Sequence, residues 1–215
     1  MTARGQRGLV YLLAFSGGFI IMSLELLGGP LLAPYFGSSV YVWGSIISVF
    51  MLALSAGYLI GGQLSMPTAT LTRFGGLFCL AAVLLAPLPW INEWVMNQIF
   101  EAVEDPRFGS LLACMSLFFL PTLVLGTISP YAVRLLVQTT IQAGAVAGRL
   151  YFVSTAGSAV GTLLTSFYLV LWFEMNTLFG LLCLTLAGCG GVALLLASGS
   201  AASHPAANPA ETNAG

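Results

Sequence analysis

Long apolar stretches divide the chain, and short polar segments separate them. A helix needs about 20 apolar residues to cross the hydrocarbon core of a bilayer. Six stretches qualify: Leu9–Gly28, Val42–Gly62, Phe74–Ile91, Ser110–Ile128, Leu150–Phe173 and Leu178–Ala197. The third is short, and Pro87 and Pro89 break its end. The fifth is rich in Ser and Thr, which predicts packing inside a bundle rather than exposure to lipid. The pattern predicts an all-α, polytopic membrane bundle of six transmembrane helices. Residues 1–8 form a cytoplasmic N-terminus, 9–197 the six-helix domain, and 198–215 a disordered cytoplasmic tail rich in Ala, Ser, Pro and Asn.

Charge orients the spans. If they alternate, Arg4, Arg7, Arg73, Arg134 and Arg149 fall on one side, and Arg107 falls on the other among Glu93, Glu101, Glu104 and Asp105. The positive-inside rule then places both termini in the cytoplasm. Trp43, Trp90, Trp94 and Trp172 fall near predicted outer ends, as interfacial aromatics should. The outer stretch NEWVMNQIFEAVED predicts a short interfacial helix, and residues 129–148 predict a second helix along the inner surface. The apolar run after Arg4 and Arg7 is too long for a signal peptide and lacks a cleavage site, so it reads as a retained first helix.

Composition agrees with lipid as the solvent. Of 215 residues, 58% are hydrophobic and 6% charged, against roughly 25% charged in a soluble domain. Mean hydropathy is +0.97. A net charge of -1 provides no basic surface for nucleic acid. Cys79, Cys114, Cys183 and Cys189 lie in apolar runs without CxxC spacing and read as packing residues. His204 has no second ligand nearby, so no metal site is expected.

Glu25 is the most informative residue. An ionised carboxylate in lipid costs at least ~2.5 kcal/mol, so it should face the bundle interior or water. Ser45, Ser48, Ser116 and Thr165 lie at matching depth and are the expected hydroxyl partners. Pro30 and Pro34 are expected to end or bend the first helix. With Tyr35 and Tyr41 they are a candidate outer lid or partner surface, against the simpler reading of ordinary helix–loop geometry. Arg134 and Arg149 flank the inner connection and fit an anchor for an anionic lipid head group or a cytoplasmic partner, or the positive-inside rule alone. Tyr151, Ser154, Thr155 and Ser158 form a polar stripe on the fifth span, suited to hydrogen bonds with neighbouring helices. Gly57 and Gly61 form GxxxG on the second span, and Gly157 and Gly161 repeat it on the fifth. Such spacing lets helix backbones approach closely.

Four stretches carry a resemblance: FSGGFIIMSLELLGGPLLAPYFGSSVYVWGSIIS from Phe15, GYLIGGQL from Gly57, PTLVLGTISPYAVRLL from Pro121 and AGRLYFVSTAGSAVGTLLTSFYL from Ala147. Together they resemble the transmembrane half of the membrane-bound spermidine-synthase-like proteins. That half is itself similar to a six-helix half of a major facilitator transporter and is usually fused to a soluble aminopropyltransferase-like domain. No strand followed by a Gly-rich turn is present here, so nothing is expected to hold decarboxylated S-adenosylmethionine, and no cofactor is expected. Pro30 stands where family members tend to carry Arg, so a Glu–Arg pair with Glu25 is not implied.

The expected role is a non-catalytic integral membrane module that anchors or assembles with a partner. That partner is another membrane or cytoplasmic protein, such as a separately encoded synthase-like subunit, or a second copy. The alternative is a small facilitator-like transporter of a polar metabolite acting as a homodimer. The expected location is the cell membrane, the inner membrane if the cell is bacterial. An enzyme is not expected, because no second acid, base or metal ligand accompanies Glu25.

Overall fold

The computed structural model describes residues 3–66, 68–137 and 139–201, and all regular structure among them is helical. The predicted disordered tail falls almost wholly outside the described residues, as does His204. The helices are α1 (Ala3–Phe36), α2 (Val40–Leu64), α3 (Leu71–Leu85), α4 (Leu88–Ala102), α5 (Pro106–Leu136), α6 (Ala143–Leu164), α7 (Val170–Trp172) and α8 (Met175–Ala201). A π-helical turn over Thr165–Leu169 joins α6 to α7. Five helical segments are long and apolar enough to cross a membrane: Gly5–Phe36, Val40–Leu64, Pro106–Leu136, Ala143–Trp172 and Met175–Ser198. The sixth candidate is α3 with α4, bent by 50° at the break that Pro87 and Pro89 predict. The chain is a multi-pass helical membrane bundle.

Three expectations need correction. Pro30 and Pro34 do not end the first helix: α1 continues through both to Phe36 and stops at Gly37, whose φ of +78° suits only glycine well. Each proline removes one backbone donor without ending the helix. Residues 129–148 do not form a separate inner helix. α5 extends over the first part, a 3-10 turn covers Thr140–Gln142, and α6 begins at Ala143. The fifth span is not an interior helix: much of α6 is exposed, and it buries chiefly Leu150, Gly157 and Gly161. Its small and hydroxyl residues serve one narrow contact, against α1. The expected outer helix does form, as α4, one turn earlier than the sequence pattern suggests.

Glycines set the main helix pairs. A Cβ on Gly57 would strike the Leu123 carbonyl, and one on Gly61 would lie 2.5 Å from that of Thr127. A Cβ on Gly157 would strike the Phe15 carbonyl, and one on Gly161 would lie 2.5 Å from that of Phe19. Thus α2 runs parallel to α5, and α6 parallel to α1. α3 and α8 cross antiparallel, with Gly75 against Ala193 and Leu194 and the Cys183 thiol donating to the Ala82 carbonyl at 3.3 Å. Gly28 against Ile46 and Gly29 against Trp43 make α2 antiparallel to α1. The Thr70 backbone N–H donates to the Tyr131 hydroxyl at 3.1 Å, so α3 starts where α5 ends. Each of the six runs therefore reverses the one before it.

The pairing has an internal two-fold. Exchanging α1 with α5, α2 with α6 and α3 with α8 turns the α1–α6 contact into the α2–α5 contact and maps α3–α8 onto itself. Because each half holds three runs, the exchange inverts direction, as in inverted-topology repeats. Charge divides between the ends. Arg7, Arg73, Arg134 and Arg149 gather at the end where α1 starts. Glu93, Glu101, Glu104, Asp105 and Glu174 gather at the opposite end with Arg107.

Candidate functional site

Glu25 lies eleven residues before the end of α1, which at 1.5 Å per residue is about 16 Å along the rod. It is half-buried, and among the described residues no hydrogen bond reaches its carboxyl. At 100° per residue, Glu25 shares a side of α1 with Gly18, Met22 and Gly29. Gly18 abuts Ser154 and Ser158 of α6, and Gly29 abuts the Trp43 ring of α2. The carboxylate therefore opens between α2 and α6.

Among the described residues, none of the four hydroxyls expected to serve it bonds to it, and three are engaged elsewhere. Ser45 pairs with Ser110 at 3.1 Å. Thr165 donates to Ser23 at 2.8 Å. Ser116 donates to the Leu112 carbonyl at 2.8 Å. Ser48 is exposed. A different hydroxyl stands at this level. Gly17 beside Ile128 and Gly109 beside Phe36 set the register of α1 against α5, which puts Thr122 within one turn of Glu25 in depth. The Thr122 hydroxyl is buried and has no hydrogen-bond partner among the described residues. Most buried polar groups are paired, so two unmet polar groups at one depth are notable. Their match in depth depends on helix register and was not visible in the sequence.

The polar stripe on α6 is divided. Ser158 donates to the Gly18 carbonyl at 3.2 Å, and the Ser154 backbone packs on Gly18. Thr155 is exposed. Tyr151 is exposed too, and close enough to Tyr58 of α2 for the two phenols to interact electrostatically. Walls from α2 and α6 thus converge at the arginine-rich end, some distance along the bundle from Glu25.

Tyr35 packs edge-on against Phe100, with ring centroids 6.1 Å apart. It also lines a cavity of about 290 Å³ at the acidic end of the bundle with Pro30, Pro34, Glu93, Glu174 and Asn176. Asn92 closes that end by donating to Asn176 at 3.1 Å and to the Leu88 carbonyl at 2.7 Å. Arg134 is exposed in the last turn of α5, where a cation complements the helix dipole. Arg149 instead joins Arg7 on a cavity at the arginine-rich end. The sequence reading paired Arg149 with Arg134 across the inner connection; the proximity of α1 to α6 brings Arg7 there. Among the described residues, no three His, Cys, Asp or Glu side chains are placed to hold a metal ion.

Neither a family model, nor a curated protein, nor a solved structure matches the chain. The functional reading therefore stands on the site and on the four sequence stretches.

Proposed function

We propose that the chain is a non-catalytic membrane module of six crossings, with both termini in the cytoplasm, that assembles inside the bilayer with a partner protein. The observation that carries this reading is Glu25, half-exposed within α1 and without a hydrogen bond among the described residues. A carboxylate facing lipid there is costly. A partner helix carrying a basic or hydroxyl donor removes that cost. The clustering of arginines at one end supports the orientation. The stretches quoted above support kinship with the transmembrane half of membrane-bound spermidine-synthase-like proteins, with a separately encoded synthase-like subunit as one fitting partner. The location is the cell membrane, the inner one in a bacterium.

The test places a photo-crosslinking residue at Ile47 on α2, the helix that Gly28 and Gly29 of α1 abut, and another at Leu184 on α8, both exposed. Ile47 should give one discrete protein adduct in native membranes that disappears in E25V, while Leu184 gives lipid adducts only. Lipid adducts alone at both positions, with a monomer in mild detergent, would sink the proposal.

The two-fold exchange of helices favours a second reading, a facilitator-like transporter that closes a polar path by pairing two copies. It requires uptake of a polar solute into vesicles containing this chain alone. The module reading predicts none.

A further inference from the structure

The arginine-rich end carries a groove of about 420 Å³. It is lined by Leu64 at the end of α2, by Arg73, Gly76, Leu77 and Leu80 of α3, and by Tyr131 of α5. α2 and α3 each pack on α5, and the groove lies between them with Tyr131 at its floor. The four α3 residues stand at i, i+3, i+4 and i+7, so they form one stripe along the helix. Over about 10 Å, at 1.5 Å per residue, the stripe passes from a guanidinium through a glycine to two leucines. Both polar groups on the groove have donors to spare. The Arg73 guanidinium carries five N–H donors, and one reaches the Thr68 carbonyl at 3.4 Å. Among the described residues no carboxylate pairs with it. The Tyr131 hydroxyl accepts from the Thr70 N–H at 3.1 Å, and its ring stacks on Phe74. These contacts hold a buried side chain and leave its hydroxyl hydrogen without an acceptor among the described residues. Thr70 ties the two groups together, because its own hydroxyl accepts from the Arg73 backbone N–H at 3.3 Å.

We propose that this groove seats an anionic phospholipid of the adjacent leaflet. Its phosphate lies on the Arg73 guanidinium and the Tyr131 hydroxyl, and one acyl chain follows Leu77 and Leu80. The guanidinium fork matches phosphate oxygens bidentately, and the unmet Tyr131 donor gains an acceptor. Gly76 keeps the passage between head group and chain open, since a built Cβ there meets nothing within 4 Å. Charge complementarity selects an anion. A zwitterionic head group brings its own ammonium toward the guanidinium and loses part of the attraction. The two leucines select an amphiphile over a soluble phosphate, which would leave that wall unused.

The experiment uses the full chain in a neutral detergent, with thermal unfolding and native mass spectrometry as readouts. Phosphatidylglycerol, phosphatidylcholine and glycerol phosphate are added separately. Phosphatidylglycerol should raise the melting temperature and leave one lipid bound, and the other two should not. R73Q should weaken the apparent affinity at least tenfold. R134Q changes an exposed arginine at the same end but outside the groove, and should leave the affinity within twofold. G76L fills the groove without altering charge, so it should abolish the bound lipid and leave the melting temperature of the lipid-free protein unchanged. Y131F, measured against its own lipid-free baseline, should weaken binding at least threefold. Because Arg73 is exposed, R73Q keeps the test decisive if G76L or Y131F folds poorly. An equal response to phosphatidylcholine or to glycerol phosphate overturns the proposal, and so does an equal loss in R73Q and R134Q or an undiminished response in R73Q or G76L.

Discussion

Substituting the glycines at the helix contacts gives the most direct test of the fold. A Cβ at Gly161 would sit 2.5 Å from the Phe19 carbonyl oxygen, 2.9 Å from its Cα and 3.1 Å from its carbonyl carbon. All three are backbone atoms, so no rotamer change relieves the clash, and G161A must push α6 off α1 by roughly 0.5–1 Å. A gap of that size forfeits about a quarter to a half of each dispersion contact, and each contact is worth roughly 0.1–0.2 kcal/mol. Over on the order of 50 atom pairs, the loss comes to about 1–5 kcal/mol, which spans the range for overpacked cores. G57A meets the Leu123 carbonyl and the Gly126 backbone in the same way and should cost a similar amount. Gly76, Gly180 and Gly188 have nothing within 4 Å of a built Cβ, so alanine there should be neutral or stabilising by up to about 1 kcal/mol. The assay is reversible unfolding in mixed micelles, all five variants side by side. Equal effects at crowded and open positions would refute the reasoning, because propensity alone would then explain them.

Other perturbations separate the polar contacts. T165V leaves Ser23 without its partner and should cost about 1 kcal/mol, while S23A with T165V together should cost less than the sum; a double-mutant cycle giving no coupling would exclude that bond. Y131F removes the acceptor of the Thr70 N–H at the start of α3 and should lower stability by about 1 kcal/mol, with faster amide exchange at Thr70. Reporter fusions at the two ends of the chain should both report cytoplasm; a split result would remove the orientation argued from the arginines.

Long apolar runs made the helices legible, because lipid leaves few other ways to satisfy a backbone. The break at Pro87 and Pro89 was legible for the same reason, since proline cannot continue the ladder there. Pro30 and Pro34 misled as helix ends because proline is tolerated within a membrane helix when its surroundings accept the freed carbonyls. The GxxxG pairs were visible, but their partners were not: that Gly57 meets Leu123 and Gly157 meets Phe15 is set by helix order in space. The partners of Glu25 were misread for a related reason. Matching depth along a helix says nothing about azimuth, and Ser45 and Thr165 turn toward α5 and α1 residues other than Glu25.

The internal two-fold separates what holds the bundle from what it can do. One step along the chain carries Phe15, Gly18 and Phe19 of α1 onto Leu123, Gly126 and Thr127 of α5, so each half presents the same carbonyl–glycine–carbonyl surface to its partner helix. That same step carries Glu25 onto Val133. The packing obeys the symmetry and the carboxylate breaks it. A residue needed for packing would be needed in both halves, and α5 completes its half with an aliphatic side chain. E25V should therefore leave the melting temperature of the isolated protein unchanged or raise it, while removing the adduct expected at Ile47. A fall of several degrees in E25V would mean that the carboxylate serves the fold, and the face between α2 and α6 would lose its claim as the place where a partner is met.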